Sequence, residues 1–507
     1  MNKHPLLTRH SGILLHPSSL PGPWLSGNLG PEAFRFVEFL AAAGQSLWQM
    51  LPLGVPHDDG SPYQCLSVFA GNPVLISPEA LRDKGWLSAA DCDQALAQMK
   101  TPAMSGNFSH RDALSLHSAV LEQAYSGFKA RASDSDQAAL ADFIEQQGFW
   151  LHDYALYQSL HQVFEHQSWT QWPQSLRDRQ PQAVTEAREQ YAGQIAEICF
   201  EQFVFFQQWQ ALKDYANKHG VLMFGDMPIF IAHDSADVWC AREYFDLDAN
   251  GEPLTVTGVP PDYFSATGQR WGNPHYHWQT MVADDFAWWK QRMAMQLQLF
   301  DVVRVDHFRG FEASWEIPVD HDTAIDGRWI QVPGAQLFDS LLKYFKTLPL
   351  VAEDLGIITP AVEALRDRYQ FPGMKILQFA FGGDNNNPYL PHNHETNCVV
   401  YTGTHDNDTT LGWYQALDAA TRAHVHEYLG IDSGDDMPWP MIRAAMESVA
   451  NTAVFPLQDI LGLDAEHRMN IPGTAEGNWR WRFEWSAVPT ELAGQLQHLT
   501  ELYQRQP

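Results

Sequence analysis

The sequence predicts an α/β fold: a (β/α)8 TIM barrel with large, mostly helical insertions between strands and a lid loop over one rim. Three observations predict it. Eight short apolar runs recur along the 507 residues, helical patterns separate most of them, and carboxylates stand where several of the runs end. Runs that are apolar almost throughout, rather than alternating, suit strands buried on both faces. Strand–helix–strand repetition implies parallel pairing, and eight such units suggest a closed ring.

In chain order, the first run is "GILLHPS" at residues 12–18 and the second is "SLWQMLPLG" at 46–54. The third is "VLMFGDMPIF" at 221–230, the fourth "VVRVDHFRG" at 302–310 and the fifth "PLVAEDLG" at 349–356. "GMKILQFAF" at 373–381, "CVVYTGTHD" at 398–406 and "TAVFPLQDIL" at 452–461 complete the set. Gly or Pro bounds them, as strand ends favour. Asp226, Asp306, Glu353, His405 and Asp406 fall at the C-terminal ends, the rim on which barrels of this kind build their chemistry.

Such a barrel needs only about 250 residues, so residues 1–507 read as one barrel carrying insertions. The largest insertion, 55–220, reads as helical: Leu140, Ile144, Leu151, Tyr154 and Ala155 fall near one face at the 3.6-residue period. The next, 231–286, is rich in Gly, Pro and aromatics and reads as an irregular lid on the active rim.

Composition narrows the partners. A hydrophobic content of 45% supports a sizeable core. A formal net charge of -29, from 61 acidic and 32 basic side chains, repels phosphate backbones and anionic headgroups. Nucleic acid and membrane partners are therefore disfavoured, and a neutral substrate suits better. The five cysteines are scattered, with no Cys-x-x-Cys spacing, which argues against a disulfide framework or a cysteine zinc site. No run approaches the ~18 apolar residues of a membrane span, and the first ten residues lack the apolar core of a signal peptide. The expected location is the cytoplasm. The 19 Trp, 28 Phe and 16 Tyr supply flat faces on which sugar rings stack, although a large aromatic core accounts for most of them equally well.

The chemistry concentrates in the later runs. Strand alternation puts Val302, Arg304 and Asp306 on one face and Val303 and Val305 on the other. Arg304 beside Asp306 favours an ionised carboxylate, as a glycosidase nucleophile requires; a structural ion pair is the alternative. Glu353 ends the following run. Neighbouring strands lie ~4.8 Å apart, so the two carboxyl groups can approach the ~5–5.5 Å separation of retaining glycosidases. Asp354 competes for the acid role, but alternation sends it to the opposite face. In "GTHDND", His405 and Asp406 suit the gripping of sugar hydroxyls, while turn formation is the plainer reading.

The ordered set "SPYQCLSVFAGNP", "GDMPIF", "GVPPDYFSATGQRWGNP", "RVDHFRG", "AEDLG" and "THDN" resembles the amylomaltase family of 4-α-glucanotransferases, the disproportionating enzymes. The resemblance extends from about Gly12 to "NIPGTAEGNWRWR" near the C-terminus. It implies a retaining transfer of α-1,4-glucan segments between maltodextrin chains, or to glucose. It further implies Asp306 as nucleophile, Glu353 as acid/base and Asp406 as the third, stabilising carboxylate. Sugar contacts are implied for Ser61, Tyr63, Asp226, Asp262, Gln269, Trp271, Arg304, Phe379, His405 and Asn478. Longer members carry an extra N-terminal region; with the first run beginning near Gly12, it is expected to be absent here, and nothing about it carries over. An α-glucan hydrolase would use the same carboxylates, and a non-catalytic glucan-binding barrel would not need three of them.

No cofactor motif is present. Asp246 opens a calcium-like loop, but its twelfth position is Thr257 where a bidentate Glu is required, and "ANGEP" reads as a hairpin turn. His275 with His277, and His392 with His394, lie beside Pro and Asn without nearby carboxylates, so no metal is expected. Oligomeric state is not legible. Activity is expected to survive prolonged chelation; loss on chelation with recovery on adding calcium would restore the Asp246 loop as a metal site.

Overall fold

Strands apolar on both faces need cover on both sides, and the chain supplies it by closing them into a ring wrapped in helices. The computed structural model describes residues 4–105, 110–261, 265–474 and 476–506. Its strands are β1 (His10–Leu14), β2 (Leu47–Gln49), β3 (Leu222–Pro228), β4 (Thr255–Val259), β5 (Gln269–Pro274) and β6 (Val302–Asp306). They continue with β7 (Ala313–Pro318), β8 (Arg328–Gln331), β9 (Leu350–Ala352), β10 (Gly373–Ile376), β11 (Cys398–Tyr401) and β12 (Thr452–Pro456). One parallel sheet runs β10-β11-β12-β1-β2-β3-β6-β9. Each of its eight strands overlaps one of the eight apolar runs, β1 beginning two residues earlier, at His10.

The seam between β9 and β10 closes the barrel by two hydrogen bonds of different kinds. Ala352 N–H donates to Pro372 O at 2.8 Å. The Asp354 carboxylate accepts Met374 N–H at 2.7 Å and also takes the Arg366 guanidinium. Asp354 thus faces away from the barrel interior, as alternation predicts, and serves the seam.

Alternation also sorts the core. Leu14, Leu47, Phe224, Val302, Val351, Met374, Val399, Tyr401 and Val454 fill the barrel interior. Ile13, Trp48, Met223, Val303, Val305, Val400 and Phe455, buried on the outer face, pack against the surrounding helices. Toward the C-terminal ends the interior turns polar. Gln49 accepts the Tyr401 hydroxyl at 2.9 Å, and Asp226, Arg304, Asp306 and Glu353 continue the inward positions. Gly225 faces outward, where a Cβ would stand 2.2 Å from the Phe300 ring. The missing side chain lets Phe300 seat against the strand next to Asp226.

The strands are shorter than the runs. β2 covers three residues; Met50 N–H makes one further bond, to Phe224 O at 2.9 Å. Pro52 then has no N–H to give. The run at 373–381 turns into a 3-10 turn at Leu377–Phe379, and the link from β10 to β11 holds only 3-10 turns, with no α-helix. Helices of the region between β2 and β3 include Asp134–Gln146, Leu151–Val163 and Ala192–Lys218. The apolar face through Leu140 and Tyr154 therefore belongs to two helices, which part around Gly148. On Ala192–Lys218, Gln202 exchanges two hydrogen bonds with the Gly71 peptide, and Gln208 does the same with Ser77. These amide pairs fasten the loop that follows β2 to a long, rigid helix.

The segment 231–286 contains regular structure that its composition hides. β4 and β5 pair antiparallel as a hairpin, and β7 and β8 extend them into a four-stranded sheet, β5-β4-β7-β8. At "ANGEP", Asp248 Oδ1 accepts the Asn250 and Glu252 N–H groups, and Gly251 takes φ 88°. Among the described residues, no helix is long and apolar enough to cross a membrane.

The two ends of the chain meet under the barrel. Arg505 is fully buried and donates to Ala445, Met446, Ser448 and Asn451 carbonyls, and to His10 O on β1. Arg9 reaches Met446 and Ser448 from the other side. Both guanidinium groups thereby cover the exposed carbonyls ending the helix Trp439–Glu447, where positive charge is favoured.

Asp354→Ala is expected to leave the Met374 N–H at the seam unpaired and Arg366 with Asp367 as its remaining ion-pair partner, and to cost about 1–3 kcal/mol of stability. Denaturant unfolding would measure it. An unchanged midpoint would remove Asp354 from the closure.

Candidate active site

Five of the residues singled out by sequence form one hydrogen-bonded line across the barrel mouth, and it ends at a sixth. Arg304 Nη2 donates to Asp306 Oδ1 at 2.8 Å, and Nη1 donates to Asp226 Oδ2 at 2.7 Å. The Tyr63 hydroxyl donates to the same Asp226 oxygen at 2.8 Å. His405 Nε2 lies 2.8 Å from the Tyr63 hydroxyl and 3.2 Å from Asp406 Oδ2. With the proton on Nε2, His405 serves both acceptors. The line thus runs Asp306, Arg304, Asp226, Tyr63, His405, Asp406.

Local structure delivers each member. β6 and β3 pair in register, with Arg304 opposite Asp226, so the ion pair spans adjacent strands. Tyr63 comes from the loop fastened by Gln202 and Gln208. Its own approach is set by a turn in which Asp59 accepts the Ser61 N–H at 3.0 Å and Ser61 Oγ accepts the Tyr63 N–H at 3.4 Å. Tyr63 stacks on His405 at 5.2 Å between centroids, and Trp479 leans on both rings.

Glu353 sits one strand along from Asp306. Its Oε2 accepts the His307 N–H at 2.7 Å and its Oε1 accepts the Leu355 N–H at 2.9 Å. His307 adopts left-handed backbone, φ 55°, which turns its N–H toward Glu353. The two carboxyl groups are therefore tied through the residue that follows Asp306. Burial, reinforced by the negative charge of Asp306, pushes the Glu353 carboxyl up to about 7, against the opposing pull of Arg304 and the two N–H donors. At neutral pH this carboxyl holds its proton part of the time.

Asp406 has the opposite setting. Its side chain is half exposed, and the desolvation by the surrounding protein is outweighed by the adjacent His405 and the Asn470 amide, which donates to Oδ1 at 2.7 Å; these hold it well below the usual carboxylate range. Burial alone would make His405 harder to protonate; Asp406 overcomes this and raises its pKa. Arg468 adds a bond to Asp406 O at 3.0 Å.

Trp271, on β5, meets His307 edge to face at 4.7 Å and donates to Gln269 at 3.1 Å. Phe379 packs against Tyr389 and the apolar barrel interior. Asn478 holds its own loop: it accepts the Ile471 N–H at 2.9 Å and donates to Thr474 O at 2.9 Å. Asp262 lies outside the described residues. An open cleft lined by His16, Asp58, Pro62, Asn478 and Trp479 adjoins the line at Trp479, and none of the three carboxylates lines it. Sequence reasoning missed Asn470, Arg468, Trp479 and the backbone of His307. The one available signal was the segment "NIPGTAEGNWRWR", which holds Asn470 and Trp479.

Comparison with known proteins decides the family. A profile described as 4-alpha-glucanotransferase matches residues 15–487. The chain belongs to the 4-alpha-glucanotransferase family. It is 47% identical to the 4-alpha-glucanotransferase of Synechocystis sp., over 98% of each chain. It is 46% identical to that of Thermus thermophilus, over 98% of this chain and 99% of the relative. The amylomaltase of Streptococcus agalactiae, solved in complex with acarbose, superposes with a TM-score of 0.91 at 34% identity, covering 98% of this chain and 99% of that one. The protein is thus an enzyme that transfers glucan chains, and the resemblance read from the motifs holds over almost the whole sequence.

Tyr63→Phe removes the one hydroxyl that links Asp226 to His405. A hydrogen bond to a charged group contributes ~1.5–3 kcal/mol, so the transferase is expected to lose ~10- to 100-fold in kcat/KM with its fold intact. Steady-state kinetics beside circular dichroism would test this; a loss under about twofold would make the link incidental.

Proposed function

We propose that the enzyme transfers α-1,4-glucan segments between maltodextrins, or to glucose, by double displacement. In the first step Asp306 attacks the anomeric carbon, the glycosidic C–O bond breaks, and Glu353 gives its proton to the departing oxygen. In the second, Glu353 takes the proton of an incoming sugar hydroxyl, which displaces Asp306 and re-forms a glycosidic bond. Asp406, His405 and Tyr63 hold the transferred glucose, and Asp406 opposes the positive charge developing at its ring.

The observation that carries this reading is the pairing of unlike carboxyl groups. Asp306 is bonded to Arg304, while Glu353, tied to the next peptide, is driven toward its protonated form. One environment suits a nucleophile and the other an acid. The acarbose complex of the Streptococcus agalactiae relative supports a site for linked sugars. Ser61, Asp262, Gln269, Phe379 and Asn478 extend the contacts to neighbouring sugars. The segment 231–286 acts as the lid, with Trp271 excluding water near His307 so that a sugar, not water, receives the glycosyl group. The five cysteines, all unpaired, suit a reducing cytoplasm.

The proton on Glu353 gives a pH signature. Below about 7 the acid is loaded, and above it the proton is lost. With maltodextrin donors, kcat/KM is therefore expected to fall as pH rises through about 7. With an α-glucosyl fluoride donor, whose leaving group needs no proton, that alkaline limb should vanish. The same limb for both donors would remove Glu353 as the acid.

A trapping experiment assigns the nucleophile. Asp306→Asn should abolish turnover. Glu353→Gln should still accept glucose from the fluoride and then stall, so intact-protein mass should show one glycosyl adduct, mapped to Asp306. An adduct on Asp226 or Asp406 would reassign the nucleophile. In the wild type, maltotriose should yield shorter and longer chains at constant total reducing ends; a steady rise in reducing ends would indicate hydrolysis.

A further inference from the structure

Asp406 does not stand on a strand. It lies in the loop after β11, between Thr402 and Thr410, and needs an anchor outside that loop. The anchor is a pair of adjacent buried residues just beyond β12. Asp459 Oδ2 accepts both the Thr402 and Thr410 hydroxyls at 2.6 Å, and its Oδ1 accepts the Thr410 N–H at 2.7 Å. One carboxylate therefore grips the loop at its entry and at its exit. Asp459, Thr402 and Thr410 have no exposed surface. Among the described residues no cation forms an ion pair with Asp459, so its acceptor capacity is spent on the loop.

Its neighbour grips the other segment that reaches Asp406. Gln458 Nε2 donates to His467 O at 3.2 Å. The next residues of that segment, Arg468 and Asn470, donate to Asp406 O and Oδ1. Gln378 braces the loop from a third side, donating to Asp408 O at 2.8 Å. Two successive side chains on one short helical turn, Leu457–Ile460, thus hold the two segments that converge on one carboxylate.

We propose that Asp459 is a positioning residue for transfer, and that with Gln458 it fixes Asp406 and its Asn470 donor in the geometry that opposes charge in the transition state. The inference rests on the role of Asp406 given above. A carboxylate that stabilises developing charge contributes only while it is held in place before the charge appears. His405, in the same loop, keeps its own hold through the Tyr63 hydroxyl and ring, so a loosened loop would leave ground-state sugar contacts largely intact and weaken the response to positive charge. The loss should therefore fall on kcat rather than KM, and on cationic ligands rather than neutral ones.

The test compares Thr402→Val, Asp459→Asn and Asp406→Asn with the wild type. Thr402→Val removes one hydroxyl and keeps the shape. Binding is measured by calorimetry with acarbose, whose protonated amine mimics the charged ring, and with a neutral, uncleavable thio-linked maltotriose. Thr402→Val and Asp459→Asn are expected to lose about tenfold or more in kcat and in acarbose affinity, with the neutral ligand held within about twofold. If Asp459→Asn does not fold, Thr402→Val alone decides. Unchanged acarbose affinity in folded variants would overturn the proposal, and so would equal losses for both ligands. If Asp406→Asn itself shows no selective loss, the role of Asp406 fails, and the proposal fails with it. Selective loss in Asp406→Asn alone would refute the clamp and leave that role standing.

Discussion

The guanidinium of Arg304 is the constraint on which the site depends. It is almost wholly buried, in a barrel whose interior below it is largely Leu, Val, Phe and Met. A charge there is tolerated only with partners in place. Asp226 and Asp306 supply them from the next strand and from its own. Once Arg304 is fixed, Asp226 is fixed; Tyr63 then has an acceptor, and His405 has a ring to stack on. The order of the mouth spreads outward from one buried cation.

Its second effect is electrostatic asymmetry. Asp306 touches Arg304 directly, whereas Glu353 faces it at longer range and feels burial and Asp306 more strongly. Asp406 meets a histidine instead. Four carboxyl groups, those of Asp226, Asp306, Glu353 and Asp406, share the mouth. Distinct neighbours separate their behaviour, and separate roles become available without any change of residue type.

Much of this was legible in the sequence because strands report two faces at once. "VVRVDHFRG" placed Arg304 and Asp306 together and Val303 and Val305 apart, and the structure keeps that division. The same period put Asp354 outside, where it serves the seam. The hairpin of β4 and β5 was not legible: its Gly- and Pro-rich stretch has weak strand character, and its support comes from β7 and β8, formed by residues 313–331. Asn470 carried no signal of its own, since its reach to Asp406 exists only after the 465–470 segment is held by Gln458. Asn478, singled out by resemblance, spends its amide on its own loop. Strand-end chemistry follows from a local period, and loop chemistry follows from contacts between distant segments.

The stitching of Arg9 and Arg505 around one helix end bears on how the protein is made. Of the strands described, β1 leaves the ribosome before the rest, yet its neighbours in the sheet are β2 and β12. The carbonyl of His10 waits for Arg505, 495 positions later. The earliest strand is thus the last to be fully partnered. Until β12 arrives, the growing barrel is an open parallel sheet with an unpaired apolar edge, the state most exposed to wrong association. Closure across so long a span of sequence is slow. The order in which the barrel becomes fully paired is therefore set by the circular order of its strands, not by the chemistry at its rim.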